Sequence, residues 1–187
     1  MAKVFPAIDP ALQAWIAKQH LFFVATAPLA SDGLVNCSPK GLDCLRVLDA
    51  HTVAYLDLTG SGIETIAHLR ENGRIVLMFC SFEKAPRIVR FHGVGRVHLT
   101  GTPEFDALLG HFIALAGMRS IIVVDVKRIA DSCGFGVPRY AFEGERTTLT
   151  DLWTQRGETE TCEYQRDQNA LSLDGLPGLS PSPLAEP

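Results

Sequence analysis

The residues best suited to chemistry in this 187-residue chain lie in the stretch 35–41, which reads VNCSPKG. Lys40 directly follows Pro39, whose ring partly fixes the backbone, so the ammonium group is presented from a restricted position at the end of a short strand. A cation presented in this way suits an anionic ligand. Taken alone, such a stretch is more often an ordinary strand end than a binding site.

A second candidate stretch, Thr59-Gly60-Ser61-Gly62, comes directly before a predicted helix. Glycine lets the backbone approach a ligand closely, and the first turn of a helix offers unpaired N–H groups and a favourable dipole to an anion. The stretch is therefore a candidate phosphate-binding turn. An ordinary glycine turn explains the same four residues about equally well.

The surrounding pattern predicts the elements that position these two stretches. Residues 21–27 suit a half-buried strand, and a turn at 30–33 leads into the second strand of a hairpin, which ends in the lysine stretch. Residues 52–58 form another strand that leads to the glycine turn. A helix then runs from Ile63 to a C-cap at Asn72-Gly73.

The rest of the chain shows no regular alternation of strands and helices. A helix capped by Asp9-Pro10 should end near His20, and glycines at 93 and 95 indicate a bulge or a close backbone approach within a strand. We therefore expect a mainly β protein with flanking helices, arranged as a small antiparallel barrel. The other predicted elements are strands at 75–80, 87–98 and 120–126, a helix at 103–116 and a helix around Trp153.

Length and composition predict one domain at residues 1–157, followed by a C-terminal extension at 158–187. The extension should pack in part on the barrel or on a partner, especially through Leu171, Leu173 and Leu176, and its last ten or so residues should be disordered. The formal net charge of −4 is concentrated in this extension, which contributes −5, so residues 1–157 carry about +1. This balance excludes a nucleic-acid-binding surface.

The five cysteines are odd in number and show no CxxC spacing, which predicts free thiols and a reducing compartment, the cytoplasm. The sequence also shows no secretory signal, and its apolar runs are too short to span a membrane. His92 and His98 are too far apart for one metal ion, and no metal site is predicted. No GxSxG motif supports a hydrolase.

In their order along the chain, the lysine stretch, the glycine turn and the strand at 87–93 resemble the pyridoxamine 5'-phosphate oxidase-like family of FMN-binding split barrels. The resemblance covers about residues 21–126. It implies an antiparallel split β-barrel, a homodimer with two FMN sites at its interface, and oxidoreduction of a small organic molecule. Lys40 is then the candidate catalytic residue, placing positive charge near the flavin or its substrate. The cofactor-binding residues that the resemblance implies are Asn36, Cys37 and Ser38 through their main chain, together with Pro39, Lys40, Leu56, Asp57, Ser61, Gly62, Thr65, Arg87 and Arg90.

The sequence departs from that family in two places. The family's oxidases have a serine followed by two basic residues where this chain has Ser61-Gly62-Ile63-Glu64. The phosphate would therefore rely on Ser61, Thr65, backbone N–H groups and an arginine from the strand at 87–90, with Glu64 opposing it. The Arg-x-His of the oxidases is also missing, since the nearest match is Arg139-Tyr140-Ala141. Pyridoxamine phosphate is therefore not the predicted substrate.

Two alternatives remain open beside an FMN-dependent oxidoreductase. The chain could be a non-catalytic flavin-binding or redox-sensing protein, since related barrels include such members. It could also be a reductase that uses the deazaflavin F420 in place of FMN. The visible spectrum of the purified protein would separate the two cofactors.

Overall fold

The computed structural model of the chain describes residues 3–83 and 85–179. Residues 180–187, on which most of the predicted disorder falls, lie outside this part. Within these described ranges, four helices flank one antiparallel sheet. The helices are α1 (Pro10–Ile16), α2 (Glu64–Asn72), α3 (Pro103–Leu109) and α4 (Thr148–Gln168). The strands are β1 (Val4–Phe5), β2 (Phe22–Thr26), β3 (Asn36–Lys40), β4 (Leu45–Val47), β5 (Thr52–Leu58), β6 (Arg74–Cys80), β7 (Ile88–Leu99) and β8 (Met118–Ser132).

The sheet has the strand order β3-β2-β6-β7-β8-β5-β4, and β1 is added to β8. The two longest strands form its spine: β8 pairs with β7 along one side, and with β5 and then β1 along the other. The sheet curls into a half-barrel around a single apolar core. The predicted antiparallel split-barrel class is confirmed, as is the predicted hairpin of β2 with β3.

Local signals in the sequence account for several of the boundaries. The Asp9 carboxylate accepts a hydrogen bond from the Leu12 N–H and begins α1 as predicted, although the helix ends at Ile16 rather than near His20. Gly73 ends α2 in the left-handed conformation that glycine adopts without strain, at φ 70°. The predicted irregularity in β7 is a register shift between His92 and Gly93.

Two further predicted elements also differ in length from the structure. The helix predicted at 103–116 ends at Leu109, because Gly110 is its C-cap and the backbone beyond it turns, so that Phe112 packs on the core beneath Arg46. The strand predicted at 120–126 instead runs from Met118 to Ser132. Beyond residue 126 it continues to pair with β7 along one edge and also pairs with β1 along the other.

The C-terminal segment packs on the barrel through α4 and the residues after it. Trp153 is buried against Gly117, where a Cβ atom would lie 2.3 Å from the indole ring. α4 is kinked at Gly157, next to the predicted domain boundary. Leu171 and Leu173 are 57% and 78% exposed, so neither packs on the barrel, whereas Leu176 is half-buried. Packing of Leu171 and Leu173 on a partner stays a prediction. None of the described helices has the length and apolar character needed to cross a membrane.

Candidate functional site

A polar pocket of about 290 Å³ lies where β3, the end of β5 and the first turn of α2 meet. It forms because the hairpin places β3 at one end of the sheet order, while the glycine turn carries the chain from β5 into α2. The sequence-predicted residues that line it are Asn36, Ser38, Pro39, Lys40, Leu56, Ser61, Gly62 and Thr65. The two stretches singled out in the sequence therefore border one cavity.

A buried carboxylate lies beneath the pocket and holds two cations. Asp57 is completely buried; its Oδ1 accepts a hydrogen bond from Lys40 Nζ at 2.9 Å and its Oδ2 accepts one from Arg119 Nε at 2.6 Å. Burial by itself raises the pKa of Asp57, but the charges and hydrogen bonds of the two cations outweigh burial and lower the pKa to about 2. Asp57 is therefore ionised at neutral pH and acts as an anchor for Lys40 rather than as a group that contacts a ligand.

Arg119 reaches this carboxylate because of a β-bulge. Asp57 of β5 lies opposite Ser120 of β8. The next residue of β5, Leu58, lies opposite Met118, so that Arg119 is an extra residue of β8 at this point. A bulge changes the direction of a side chain relative to regular alternation. Arg119 consequently lies 4% exposed at the edge of the pocket, with its guanidinium on Asp57.

The same guanidinium is linked to the glycine turn through the C-terminal segment. Arg119 Nη1 donates to Asn169 Oδ1 at 2.9 Å, and Asn169 Nδ2 donates to the Gly60 carbonyl at 2.9 Å. Asn169 is itself completely buried. One side chain therefore connects the cation of β8 to the turn that leads into α2.

Hydrogen bonds also connect β3 to α2. Asn36 Nδ2 donates to Thr65 Oγ1 at 3.0 Å and to Thr26 Oγ1 at 3.2 Å, while Ser38 Oγ donates to Asn36 Oδ1 at 3.0 Å. These side chains hold each other, which leaves the main chain of β3 to meet a ligand. Because β3 pairs only with β2 in the described sheet, its other edge carries unpaired backbone groups.

The N-terminus of α2 is open to an anion. Its N-cap, Ile63, supplies no side-chain acceptor for the N–H groups of the first turn. Glu64 also lines the pocket, and its Oε1 accepts a hydrogen bond from the Leu173 N–H at 3.3 Å. The pocket thus combines two cations, a helix N-terminus and several hydroxyl and amide groups with one opposing carboxylate.

No activated nucleophile borders the pocket among the residues that the structure describes. Burial raises the pKa of the Cys44 thiol to about 12, so this lining residue stays protonated at neutral pH. Burial also raises the pKa of Tyr55, whose hydroxyl has no hydrogen-bond partner within residues 3–83 and 85–179. No three His, Cys, Asp or Glu side chains in the described ranges are grouped to hold a metal ion.

Four predicted site residues do not line the pocket: Asp57, which lies buried beneath it, and Cys37, Arg87 and Arg90. Cys37 is exposed on β3, where only its main chain could take part. Arg87 pairs with Asp131 at 3.3 Å and lies over the Trp15 ring, 4.9 Å from its centroid. Arg90 donates to Ser132 Oγ at 3.0 Å. The structure therefore brings neither Arg87 nor Arg90 to the glycine turn.

Sequence reasoning missed Arg119 and Asn169. Regular alternation along β8 gives no reason to turn Arg119 towards Asp57, because the bulge is a property of the pairing with β5. The nearest signal was Gly117, two residues earlier in the chain, which marked an irregularity at the start of β8. Asn169 lies in an acidic, polar segment with no pattern that indicates burial.

Solved structures define the class of protein to which this fold belongs. HupZ of Group A Streptococcus gives a TM-score of 0.53 at 24% identity, over 67% of this chain and 99% of that chain. A protein of Lactobacillus delbrueckii gives 0.52 at 18% identity, over 68% and 98%. At these identities the similarity shows the fold alone. Together with the antiparallel half-barrel, it places the chain among the split-barrel proteins.

The particular family follows from sequence. The family model of pyridoxamine 5'-phosphate oxidase matches residues 8–133. The pyridoxamine 5'-phosphate oxidase family protein ustO of Aspergillus flavus is 39% identical over 192 aligned residues, which cover 94% of this chain and 77% of ustO. The chain belongs to the pyridoxamine 5'-phosphate oxidase family, and the resemblance seen in its motifs is confirmed.

Proposed function

We propose that this chain binds FMN in the polar pocket and uses it in the oxidation or reduction of a small organic molecule. One observation carries the proposal: in a member of this family, Lys40 at the end of β3 and the glycine turn before α2 border the same cavity, above a carboxylate that anchors the lysine. The sequence predicted that Lys40 and the glycine turn bind an anionic, phosphate-bearing ligand, and their position around one cavity supports this prediction.

The donor set suits a flavin nucleotide. The unpaired edge of β3 offers N–H and C=O groups to a planar heterocycle that both donates and accepts hydrogen bonds. The uncapped first turn of α2, with Ser61 and Thr65 beside it, offers hydrogen bonds to a phosphate. A Cβ atom added at Gly60 would have no atom of the described residues within 4 Å, so the space beside this turn is open.

When bound, FMN would supply the electron-transfer chemistry, and the protein would supply position and charge. Lys40, whose side chain is 20% exposed, presents its ammonium to the pocket from a fixed anchor on Asp57. The positive charge of Lys40 favours an anionic ligand, or an anionic reduced state of the flavin, beside it. Cys44 stays neutral and Lys40 and Arg119 are paired with Asp57, so these three groups supply binding and charge and none of them is a general base.

The same proposal includes a homodimer. The outward-facing residues of the first hairpin include Leu34 and Val35, which are 53% and 75% exposed next to the pocket. A second copy on this surface would cover apolar area and shield the ligand from solvent. Light scattering on the flavin-bound protein should give a dimer, and a flavin-bound monomer at working concentration would contradict the shared site.

All five cysteines are free in the structure, which agrees with a reducing compartment. We include the cytoplasm in the proposal on this basis. Fractionation of cells that express the protein, with a cytoplasmic and a secreted marker in parallel, is the direct check.

The central experiment is a flavin titration of the wild type and of two variants, Lys40→Ala and Arg87→Ala. We expect near-stoichiometric FMN binding at micromolar concentration, and Lys40→Ala should weaken FMN affinity or turnover by about ten- to a hundredfold, because one charge-assisted contact is lost. Arg87→Ala removes the same charge away from the pocket and should change FMN affinity by less than about twofold.

Each outcome of this titration decides a part of the proposal. Absence of FMN binding would reject it. Mass spectrometry of the ligand released from purified protein separates FMN from F420. Flavin bound without turnover of any reductant or oxidant supplied would favour the non-catalytic, redox-sensing alternative. Native affinity and turnover in Lys40→Ala would show that Lys40 is an ordinary paired lysine.

A further inference from the structure

The C-terminal segment holds the glycine turn through three side chains. Trp153 Nε1 donates to the Thr59 carbonyl at 2.9 Å, and Gln165 Nε2 donates to Thr59 Oγ1 at 2.7 Å. Asn169 donates to the next carbonyl, that of Gly60. The three donor residues lie outside residues 8–133, which the family model matches, so the turn is held by residues that the family model does not describe.

Of the three, Asn169 is the one that binds Arg119 as well as the turn. Its Oδ1 accepts from Arg119 Nη1, while Asp57 accepts from Arg119 Nε. Nη2 of Arg119 has no hydrogen-bond partner in residues 3–83 and 85–179, and this nitrogen is not fully buried. Two hydrogen-bonded nitrogens thus orient the guanidinium of Arg119, a residue that lines the pocket.

The charge balance leaves this guanidinium able to attract an anion. Asp57 carries one negative charge and is shared by Lys40 and Arg119, so the group of three has a net charge of +1. Arginine suits a phosphate because its planar fork offers several N–H groups in fixed directions. At the turn, this chain has Gly62-Ile63-Glu64 where the family's oxidases have two basic residues that could bind a phosphate.

We propose that Arg119 is the phosphate-binding cation of the pocket and that Asn169 is the positioning residue that aims it at the turn. This inference rests on the proposed flavin function and names how the phosphate end is recognised. Arg119 is separated from the Gly60 carbonyl by one side chain, that of Asn169. Arg87 and Arg90, the arginines first expected in this role, are paired elsewhere on β7 and β8.

The experiment compares FMN with riboflavin, which lacks the phosphate, by fluorescence titration. The wild type should prefer FMN. In Arg119→Met the preference should fall by about ten- to a hundredfold, while riboflavin affinity stays within about threefold, because only the phosphate loses a charged donor. Arg119→Lys keeps the charge without the fork and should restore a part of the preference.

Asn169→Asp is the second variant, and it protects the test against a failure of Arg119→Met to fold. Aspartate still accepts from Arg119, but it neutralises the guanidinium and cannot donate to the Gly60 carbonyl. The FMN preference should therefore fall by about tenfold here as well. Gln165→Leu is the matched control, because it breaks a hydrogen bond to the same turn without touching Arg119. It should change both affinities by the same factor.

A third measurement separates this inference from the proposed function. Inorganic phosphate should raise the melting temperature of the flavin-free wild type and have a smaller effect on Arg119→Met and Asn169→Asp, because a ligand stabilises the state that binds it. Phosphate stabilisation without flavin binding would reject the flavin function and retain an anion site at Arg119. Flavin binding with an unchanged FMN preference in Arg119→Met or Asn169→Asp would overturn the inference and leave the flavin function in place.

Discussion

Two pairs of basic side chains in this protein differ in what surrounds them. Lys40 and Arg119 share the fully buried Asp57 next to the polar pocket. Arg87 and Arg90 lie near the start of β7, where Arg87 pairs with a carboxylate, Asp131, that is only partly buried. The sequence predicted Arg87 and Arg90 as candidate site residues, and Arg119 was missed.

The difference shows that burial of the carboxylate determines how firmly it holds a basic side chain in one position. A carboxylate removed from water holds its partners in one geometry, since any departure leaves a buried charge unpaired. A carboxylate in contact with water allows its partner to move at little cost. Arg87 is further occupied by the rings of Phe5 and Trp15. The cations on Asp57 are therefore held in one geometry, and the Arg87–Asp131 pair is a surface contact.

The largest predicted effect is on stability. Asp57→Asn leaves Lys40 and Arg119 without their counter-ion and should lower the free energy of unfolding by about 3–5 kcal/mol. Asp131→Asn is the matched change at the other pair and should cost less than about 1 kcal/mol, because Arg87 and Asp131 are both partly exposed. Urea unfolding of the two variants and the wild type measures both values. Equal losses would end the distinction between the two pairs.

The second prediction concerns acid. The folded pKa of Asp57 is about 2, below its ordinary value of 3.8, so the unfolded chain binds this proton more readily. The resulting stabilisation is fully present above about pH 4 and is lost as the pH falls towards 2. At 1.36 kcal/mol per pH unit it amounts to about 2 kcal/mol.

The control for the acid prediction is Asp57→Asn, which has no carboxyl group to titrate at this position. Its free energy of unfolding should fall less steeply between pH 5 and pH 2 than that of the wild type, by about the same 2 kcal/mol. Asp131→Asn should follow the wild-type curve closely. Parallel curves for wild type and Asp57→Asn would show that the two cations do not lower the pKa of Asp57.

Much of the fold was predictable because local signals and the global arrangement agree. The Asp9 cap, the Gly73 C-cap and the hairpin of β2 with β3 each depend on residues close together in the chain. The walls of the pocket were predictable for a related reason. Lys40 and the glycine turn both lie at the ends of well-marked strands, and the family resemblance indicated that these ends meet.

The floor of the pocket was not predictable, because it depends on pairings between distant segments. Asp57 and Arg119 are 62 residues apart and meet through a bulge in the ladder of β5 with β8. Asn169 comes from a segment whose polarity suggests solvent, yet it is buried because all its hydrogen bonds are made to the turn, to Arg119 and to its own segment. Periodicity and composition carry no information about such contacts.

The smallest predicted effect sharpens the comparison by changing the one carboxylate that opposes the pocket's cations. Glu64→Gln removes a negative charge from the pocket while keeping an oxygen that can accept from the Leu173 N–H. FMN affinity should rise by about three- to tenfold, because a like charge near the phosphate is removed from a partly screened site. Stability without ligand should fall by less than about 1 kcal/mol, since a carboxylate in the first turn of α2 favours that helix.

Glu104→Gln is the control for this change, because Glu104 also lies in the first turn of a helix, α3, and does not line the pocket. It alters the net charge of the protein by the same amount and should leave FMN affinity unchanged. The gain in Glu64→Gln should also be absent for riboflavin, which has no phosphate to repel. If FMN and riboflavin gained equally, Glu64 would act on the ring or on the shape of the pocket. The phosphate would then lie away from α2, and the selection of the glycine turn as its binding site would be wrong.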